Sequence, residues 1–408
     1  MLAFVLALLA PLAADVPPSG LRAGVARANI NPPAGIPHMN WGAQTHIEAA
    51  GLDPVGMKAT ALVVSDGKQK FAMVDVDALF VDYLRDVPRR AAARTGIPEA
   101  HIRLAATHTH AGPMLTSVKG PVGVNLDVYK RPFESYWEVV AGKVVDAIAE
   151  ANSRLVPVHV YGGRGTGTIN INRRRPAAGD MPPSVGLNPE GFVDRELVVI
   201  RIDDSAGKPL AVLANFQCHG TVLAWDNKLI SPDWVGRTRQ AVEQAMPGTF
   251  CLFFQGAAGN QGPIEGFTGD LSVAHRLGAT LGHQVVALAL AVETTRRQPR
   301  FEGFAESTAF IAKQPWRATA PRDGTLKFAS RTLDLPPRRY TPADIDRMAS
   351  ALAAAGKQDN PARTRRFRDL LEQWKKPHDP TPRKVQVQIL RIGEVALVAM
   401  PGEPFAEI

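Results

Sequence analysis

The sequence is poor in cysteine and, after its first residues, in long apolar runs. Only two cysteines, Cys218 and Cys251, occur among 408 residues, which excludes a disulfide-rich scaffold and permits at most one bridge. Two separate buried thiols that pack as small hydrophobic groups are the alternative to that bridge. Hydrophobic residues make up 45% of the chain, so a large core, in one domain or two, is expected to hold the fold together.

One strongly apolar stretch stands at the start, residues 1–14, which read MLAFVLALLAPLAA. It is too short to span a bilayer and ends in small residues, as a secretory signal peptide does, although the usual basic start is missing. We expect cleavage near Ala14 and a mature protein that is secreted or periplasmic.

Acidic residues are outnumbered by basic ones. The formal net charge of +8 favours anionic partners, such as a membrane surface. Aromatic residues make up only 7% of the chain, and no basic motif is interleaved with them, so nucleic acid is not an expected partner.

Strand-like and helical patterns alternate along the chain. Hairpins are predicted over 60–76, around Asp66-Gly67, and over 197–216. Apolar residues at helical spacing predict helices over 81–95, 134–155 and 270–292. Another helix is expected after Ser231 as N-cap, with Pro232 in its first position. Together these patterns predict an α/β fold in which mixed β-sheets are flanked by helices.

A segment of different character covers about 340–378. It predicts two helices, and the second, over 361–376, carries six basic residues: Arg363, Arg365, Arg366, Arg368, Lys375 and Lys376. A helical insertion with a solvated basic face is the simpler interpretation. The alternative is a patch that contacts anionic lipid headgroups.

The clearest chemical signal is Thr107-His108-Thr109-His110-Ala111-Gly112-Pro113, which follows the apolar run 102–106. In an extended segment the two histidines would share one face at the end of a strand, beside a Gly-Pro turn. Neutral imidazole binds Zn²⁺ through either ring nitrogen. By spacing alone, a metal site and a hydrogen-bonded histidine pair are about equally expected.

Five more motifs follow in order: Asn170-Ile171-Asn172-Arg173-Arg174, Asn215-Phe216-Gln217-Cys218-His219-Gly220-Thr221, Leu229-Ile230-Ser231-Pro232-Asp233-Trp234-Val235-Gly236, Phe253-Phe254-Gln255-Gly256-Ala257-Ala258-Gly259-Asn260 and Pro401-Gly402-Glu403. The ordered set resembles the catalytic domain of the neutral/alkaline ceramidases, a non-lysosomal family of zinc amidohydrolases. The resemblance begins near Gly24, reaches the last residue and is weaker between 316 and 382. It implies a ceramidase-like catalytic domain over 20–408.

The resemblance also implies a zinc site and its surroundings. His108 and His219 match the family's zinc-binding histidines, and Glu403 matches its carboxylate ligand. Such a ligand set leaves zinc an open position for water, which is the composition of a hydrolytic site. His110 matches a histidine that contacts substrate. Arg173 matches an arginine that binds near the scissile group, with an ion pair that braces its loop as an equal alternative.

Two carboxylates could support the histidines of this site. Asp75 and Asp77 lie on one face of a strand-like run. Either could hydrogen-bond a histidine ligand from behind, or be solvated at the strand end.

Two features depart from the family. Its characterised members carry a serine, held to be the nucleophile, in a Gly-Asp-Val-Ser-Pro-Asn motif, whereas the matching loop 256–263 has no hydroxyl. Zinc-bound water is then the simplest nucleophile, and Asn260 could donate to the oxyanion or orient the scissile carbonyl. The family's further tyrosine ligand and its C-terminal immunoglobulin-like domain have no counterpart in a sequence that ends five residues after Glu403. Either water completes the zinc site, or the sequence is a fragment.

These observations predict a secreted, zinc-dependent amidohydrolase that cleaves an N-acyl amide, with ceramide as the first candidate substrate. One alternative is a ceramidase-like hydrolase of another amide or ester. The other is a non-catalytic lipid- or glycan-binding module on the same fold. All three metal-ligand candidates are retained, which favours an enzyme.

Overall fold

The computed structural model describes residues 19–40, 45–116, 125–176, 183–356 and 361–407, so the predicted signal peptide lies outside the described residues. In chain order its elements are β1 (Arg22–Asn29), β2 (Gly51–Leu52), β3 (Lys58–Ser65), β4 (Lys70–Val76), α1 (Val87–Thr95), β5 (Ile102–Ala106), α2 (Asp127–Ser153), β6 (Val156–Thr166), β7 (Asn170–Asn172), β8 (Arg174–Arg175), β9 (Ser184–Val185), β10 (Glu196–Asp204), β11 (Pro209–Phe216), β12 (Leu229–Ile230), α3 (Asp233–Ala245), β13 (Phe250–Gln255), β14 (Gln261–Pro263), α4 (Leu271–Ala291), β15 (Thr295–Pro299), β16 (Phe304–Ala305), β17 (Ile311–Ala312), β18 (Trp316–Pro321), β19 (Leu326–Leu335), α5 (Pro342–Gly356), α6 (Pro361–Lys375), β20 (Arg383–Ile392) and β21 (Val395–Ala399).

Eight strands form one mixed sheet in the order β13-β11-β10-β6-β1-β3-β4-β5. The pairs β11–β13 and β4–β5 are parallel, and the other neighbours are antiparallel. Both predicted hairpins are present, β3–β4 and β10–β11. The predicted α/β fold with mixed sheets flanked by helices is confirmed.

Side chains alternate between the two faces of this sheet, as the strand repeat requires. On β11, Val212, Ala214 and Phe216 pack with α3 and α4, whereas Ala211 and Leu213 face the opposite side. Helices α1 and α2 cover the strands β1, β3 and β4 in the same way. Each large side chain fully buried in these layers stabilises the fold by roughly 1.5–3 kcal/mol.

A buried ion cluster joins the two edges of the sheet. Arg239 on α3 contacts the carboxylates of Asp75 and Asp77 at 2.8 Å and 2.5 Å, and all three side chains are buried. Asp75 also accepts a hydrogen bond from the backbone nitrogen of Phe253 on β13 at 3.0 Å. Asp77 accepts one from the Thr107 hydroxyl at 3.1 Å. The prediction that either aspartate supports a histidine ligand is therefore wrong, because Arg239 and backbone donors occupy both.

Three smaller predictions can be compared with the structure. The sequence predicts Pro232 as the first residue of helix α3, and the helix begins one residue later, at Asp233. The Ser231 hydroxyl accepts a hydrogen bond from the Asp233 nitrogen. Cys218 and Cys251 are separate buried thiols, which agrees with the alternative to a disulfide. Helices α5 and α6 lie where two helices are predicted. That they form an insertion within a single domain stays a prediction.

Among the described helices, none combines the length and apolarity that crossing a membrane requires.

The buried cluster leads to a stability prediction. Replacing Arg239 by Met leaves two buried carboxylates without their counter-charge, so we expect the free energy of unfolding to fall by about 3–5 kcal/mol. Urea denaturation measures this change. The matched control is Arg164→Met, because Arg164 and Glu196 form an exposed pair, whose loss should cost less than about 1 kcal/mol. Equal effects of the two substitutions would contradict the role given to the cluster.

Candidate metal centre

The turn after β5 carries the first two histidines. His108 has a φ of 64°, a left-handed conformation that non-glycine residues seldom adopt and that is typically found where function requires it. The rings of His108 and His110 are 4.9 Å apart at 86°. The prediction that an extended strand places both histidines on one face is therefore wrong. A turn brings the two rings together.

A second loop holds this turn in place and supplies the next histidine. The His110 nitrogen donates to the Gly220 carbonyl at 3.1 Å. A Cβ at Gly220 would lie only 2.9 Å from the His108 carbonyl oxygen, so the close approach requires glycine. His219, just after β11, is buried, and its own carbonyl accepts a hydrogen bond from the Trp234 indole at 3.0 Å.

Glu403 reaches the same place from the segment after β21. Its carboxylate oxygens lie 3.3 Å from His108 Nε2 and 3.3 Å from His219 Nε2. The Gly259 nitrogen donates to the Pro404 carbonyl at 2.8 Å, which fixes the backbone beside Glu403. Residues from three distant parts of the chain thus meet at one point.

Backbone carbonyls set the tautomers of His108 and His219. His108 Nδ1 lies 3.0 Å from the Leu79 carbonyl oxygen, and His219 Nδ1 lies 2.6 Å from that of Ala258. A carbonyl oxygen only accepts, so each Nδ1 carries the proton and each Nε2 offers a lone pair. Histidine metal ligands are usually oriented in this way.

The three donor atoms have the spacing of metal ligands. The two Nε2 atoms are 3.0 Å apart, and Glu403 lies 3.3 Å from each. Ligands of a tetrahedral zinc ion, each about 2.0–2.1 Å from the metal, are separated by about 3.3 Å. Two lone pairs and a carboxylate that converge so closely repel one another, and a cation held between them would remove that repulsion. This donor set therefore fits a divalent metal ion.

His110 and Arg173 border this donor set. One nitrogen of each of His108, His110 and His219 lies within 4.8 Å of the others, a looser group than the donor set with Glu403. The guanidinium of Arg173 donates to the Gly259 carbonyl, and its Nη2 lies 3.0 Å from His219 Nε2 and 3.9 Å from Glu403. Arg173 thus braces the loop and also directs its charge at the site.

Asn260 lies nearby and is turned away from the donors. Its amide nitrogen donates to both carboxylate oxygens of Glu407, at 2.8 Å and 2.7 Å, and its oxygen accepts from the Ala406 nitrogen at 3.0 Å. These bonds hold the segment that carries Glu403. The oxyanion role of Asn260 stays a prediction, and in this arrangement its carboxamide serves the ligand segment.

Burial controls the charge of His219 and His110. It lowers the pKa of His219 to about 4 and holds the pKa of His110 well below its usual value, so both rings are neutral near pH 7. Titration of His110 near neutrality is therefore not expected. Neutral imidazole and ionised carboxylate are the forms that bind metal.

The chain is similar to known proteins over much of its length. The family model "Neutral/alkaline non-lysosomal ceramidase, N-terminal" matches residues 22–268. The chain belongs to this family. It is 32% identical over 155 residues to neutral ceramidase B of Dictyostelium discoideum, covering 37% of this chain and 21% of that protein. With the neutral ceramidase of Pseudomonas aeruginosa it shares 29% identity over 269 residues, covering 63% of this chain and 39% of the other.

The fold is also similar to a solved family structure. The crystal structure of the Pseudomonas aeruginosa neutral ceramidase superposes with a TM-score of 0.61 at 20% sequence identity. The match covers 94% of this chain and 62% of that one. The chain therefore spans less than two thirds of the length of these relatives. The similarity at this identity establishes the fold.

Sequence reasoning overlooked the groups that orient the ligands. The carbonyls of Leu79 and Ala258 carry no residue-specific signal, since any residue supplies a backbone carbonyl. Asn40, which contacts His110, lies 70 residues before it in the chain and belongs to no motif. Only the folded chain brings these groups to the histidines.

The donor geometry predicts one divalent metal ion per chain. His108→Ala or Glu403→Ala removes one of three ligands and should empty the site, as measured by elemental analysis of purified protein. The matched control is His283→Ala, because His283 is exposed on α4, and it should keep the metal. Full occupancy in both ligand variants would refute the assignment.

Proposed function

We propose that this protein is a zinc-dependent amidohydrolase that cleaves an N-acyl amide, with a ceramide-type lipid as the first candidate substrate. The observation that carries the proposal is the convergence of His108, His219 and Glu403 with metal-ligand spacing. Family membership supports the substrate class, since the matched relatives are named neutral ceramidases.

Each residue around the donors would have a defined task. Zinc held by His108, His219 and Glu403 would supply Lewis acidity that polarises the scissile carbonyl and lowers the pKa of water. Arg173, 14% exposed, directs a guanidinium at the same point and can stabilise negative charge that develops on the carbonyl oxygen. His110, whose ring stays neutral near pH 7, would act as an electrophile that donates a hydrogen bond to the scissile carbonyl oxygen.

Water is the nucleophile that the site supports. Loop 256–263 has no hydroxyl. In the His108 turn, the hydroxyls of Thr107 and Thr109 donate to Asp77 and to the Ser231 carbonyl, so neither is poised for attack. The same lack of a hydroxyl favours a second candidate, a hydrolase of another amide or of an ester.

Turnover experiments test this mechanism. A panel of fluorogenic N-acyl amides and esters should be hydrolysed by zinc-loaded protein, and hydroxyl-reactive agents should not inhibit it, because attack by water forms no acyl-enzyme. His110→Ala should lower turnover by roughly 10²-fold or more while zinc stays bound. An acyl adduct on any serine or threonine, or normal turnover by His110→Ala, would contradict the mechanism. If zinc-loaded protein hydrolyses nothing, the binding-module alternative gains support.

Peripheral contact with an anionic membrane surface is a further part of the proposal. Its support is the basic composition of α6, on which Arg368 and Lys375 are exposed. Arg365→Glu with Arg368→Glu should weaken binding to anionic vesicles about tenfold or more in a salt-dependent way, since each basic residue near such a surface contributes about 1 kcal/mol. Hydrolysis of a soluble substrate should be unchanged. The control Arg89→Glu with Lys130→Glu makes the same charge change on α1 and α2. An equal loss of vesicle binding in this control would mean that α6 is an ordinary solvated surface.

Export is proposed from the sequence of residues 1–14 alone. Mass spectrometry of protein secreted by cells that express the full chain should show an N-terminus near Asp15. An intact Met1 on cytosolic protein would argue against export.

A further inference from the structure

Asn40 is a buried side chain that lies against His110. Its Nδ2 is 2.7 Å from His110 Nδ1 and 3.4 Å from the backbone carbonyl oxygen of the same residue. A carbonyl oxygen can only accept a hydrogen bond, so the amide end that faces both atoms is the NH₂ group. Nδ1 of His110 is then an acceptor, and the ring proton of the neutral imidazole lies on Nε2.

The backbone holds Asn40 at this place. The nitrogen of the preceding residue, Met39, donates to the Met114 carbonyl at 2.9 Å, and the Met114 nitrogen donates to the Pro37 carbonyl at 2.9 Å. These bonds tie the segment before Asn40 to the chain just after His110. The two side chains are therefore fixed relative to each other.

The tautomer of His110 is opposite to that of the ligand histidines. His108 and His219 carry their protons on Nδ1 and offer Nε2 lone pairs, because backbone carbonyls face their Nδ1 atoms. His110 has an amide donor at the same position. Its ring centroid lies 4.9 Å from that of His108 and 5.4 Å from that of His219. Two rings at the site thus offer lone pairs, and the third offers an N–H.

We propose that Asn40 is a positioning residue that holds His110 as the Nε2–H tautomer, so that His110 presents a hydrogen-bond donor, and not a base, to the substrate. The inference rests on the proposed hydrolytic function and narrows the role of His110 within it. A fixed donor beside the metal ligands stabilises negative charge on the scissile carbonyl oxygen, whereas a base would need a free lone pair on Nε2.

Nuclear magnetic resonance tests the tautomer without substrate. Zinc-loaded full chain with ¹⁵N-labelled histidine is examined at neutral pH, and the His110 ring is identified by its loss in His110→Gln. Two-bond ¹H–¹⁵N correlations report which nitrogen carries the proton. We expect Nε2–H in the wild type and a protonated Nδ1 in Asn40→Asp, because a carboxylate only accepts. The same spectra distinguish a proton that has moved to Nδ1 from a ring that is protonated on both nitrogens.

Kinetics tests the consequence. Asn40→Asp should lower kcat about 10²-fold, with zinc content unchanged and KM little altered, as for the loss of one oxyanion donor. Asn40→Ala removes the amide without imposing the other tautomer, so it should lower kcat less than Asn40→Asp does. It also keeps the proposal testable if Asn40→Asp fails to fold. The matched control is Asn29→Asp, since Asn29 is exposed and its side-chain oxygen accepts from the Asn31 nitrogen, a bond that aspartate keeps.

The outcomes distinguish failure of the role of Asn40 from failure of the proposed hydrolytic function. A protonated Nδ1 on wild-type His110, or an Nδ1 that stays unprotonated in Asn40→Asp, would overturn the role of Asn40. Because the tautomer is measured without substrate, a correct tautomer pattern with no turnover by any variant would count against the proposed function alone.

Discussion

The buried contact of Arg239 with Asp75 and Asp77 is the constraint on which the site depends. Arg239 comes from α3, the aspartates come from β4 and the residue after it, and Asp75 also binds the backbone of β13. Parallel pairs at opposite edges of the sheet, β4–β5 and β11–β13, are thereby joined. Their carboxyl ends deliver the His108 turn and the His219 loop, so the candidate metal donors meet where the cluster holds the edges together.

A second constraint is electrostatic. The Leu79 and Ala258 carbonyls fix the rings of His108 and His219 with their Nε2 lone pairs directed at each other and at Glu403. The fold holds these mutually repulsive groups together by clamping their backbones, through Gly220 on one side and Gly259 on the other. Such enforced convergence of acceptors is characteristic of a prepared cation site.

Much of the fold could be predicted from local patterns. Short strand-like runs on either side of the turn at Asp66-Gly67 predict the β3–β4 hairpin, and helical spacing predicts α2 and α4. Errors arose where tertiary contacts override local preference. The sequence predicts His108 on the face of a strand, whereas its left-handed conformation places it in a turn. For Asp75 and Asp77 the sequence leaves a hydrogen bond to a histidine and solvation as alternatives, and neither occurs, because no sequence pattern connects them to Arg239, more than 160 residues away.

The sequence by itself determined the α/β class, the family and the identities of the metal-ligand candidates, because periodicity and motif order are properties of the chain. Only the tertiary structure decided how these groups are used. Hydrogen bonds between residues far apart in sequence turn Asn260 towards Glu407, set each histidine tautomer and bring Asn40 to His110. Proton positions and ligand orientation depend on such contacts, and a linear pattern of residues does not encode them.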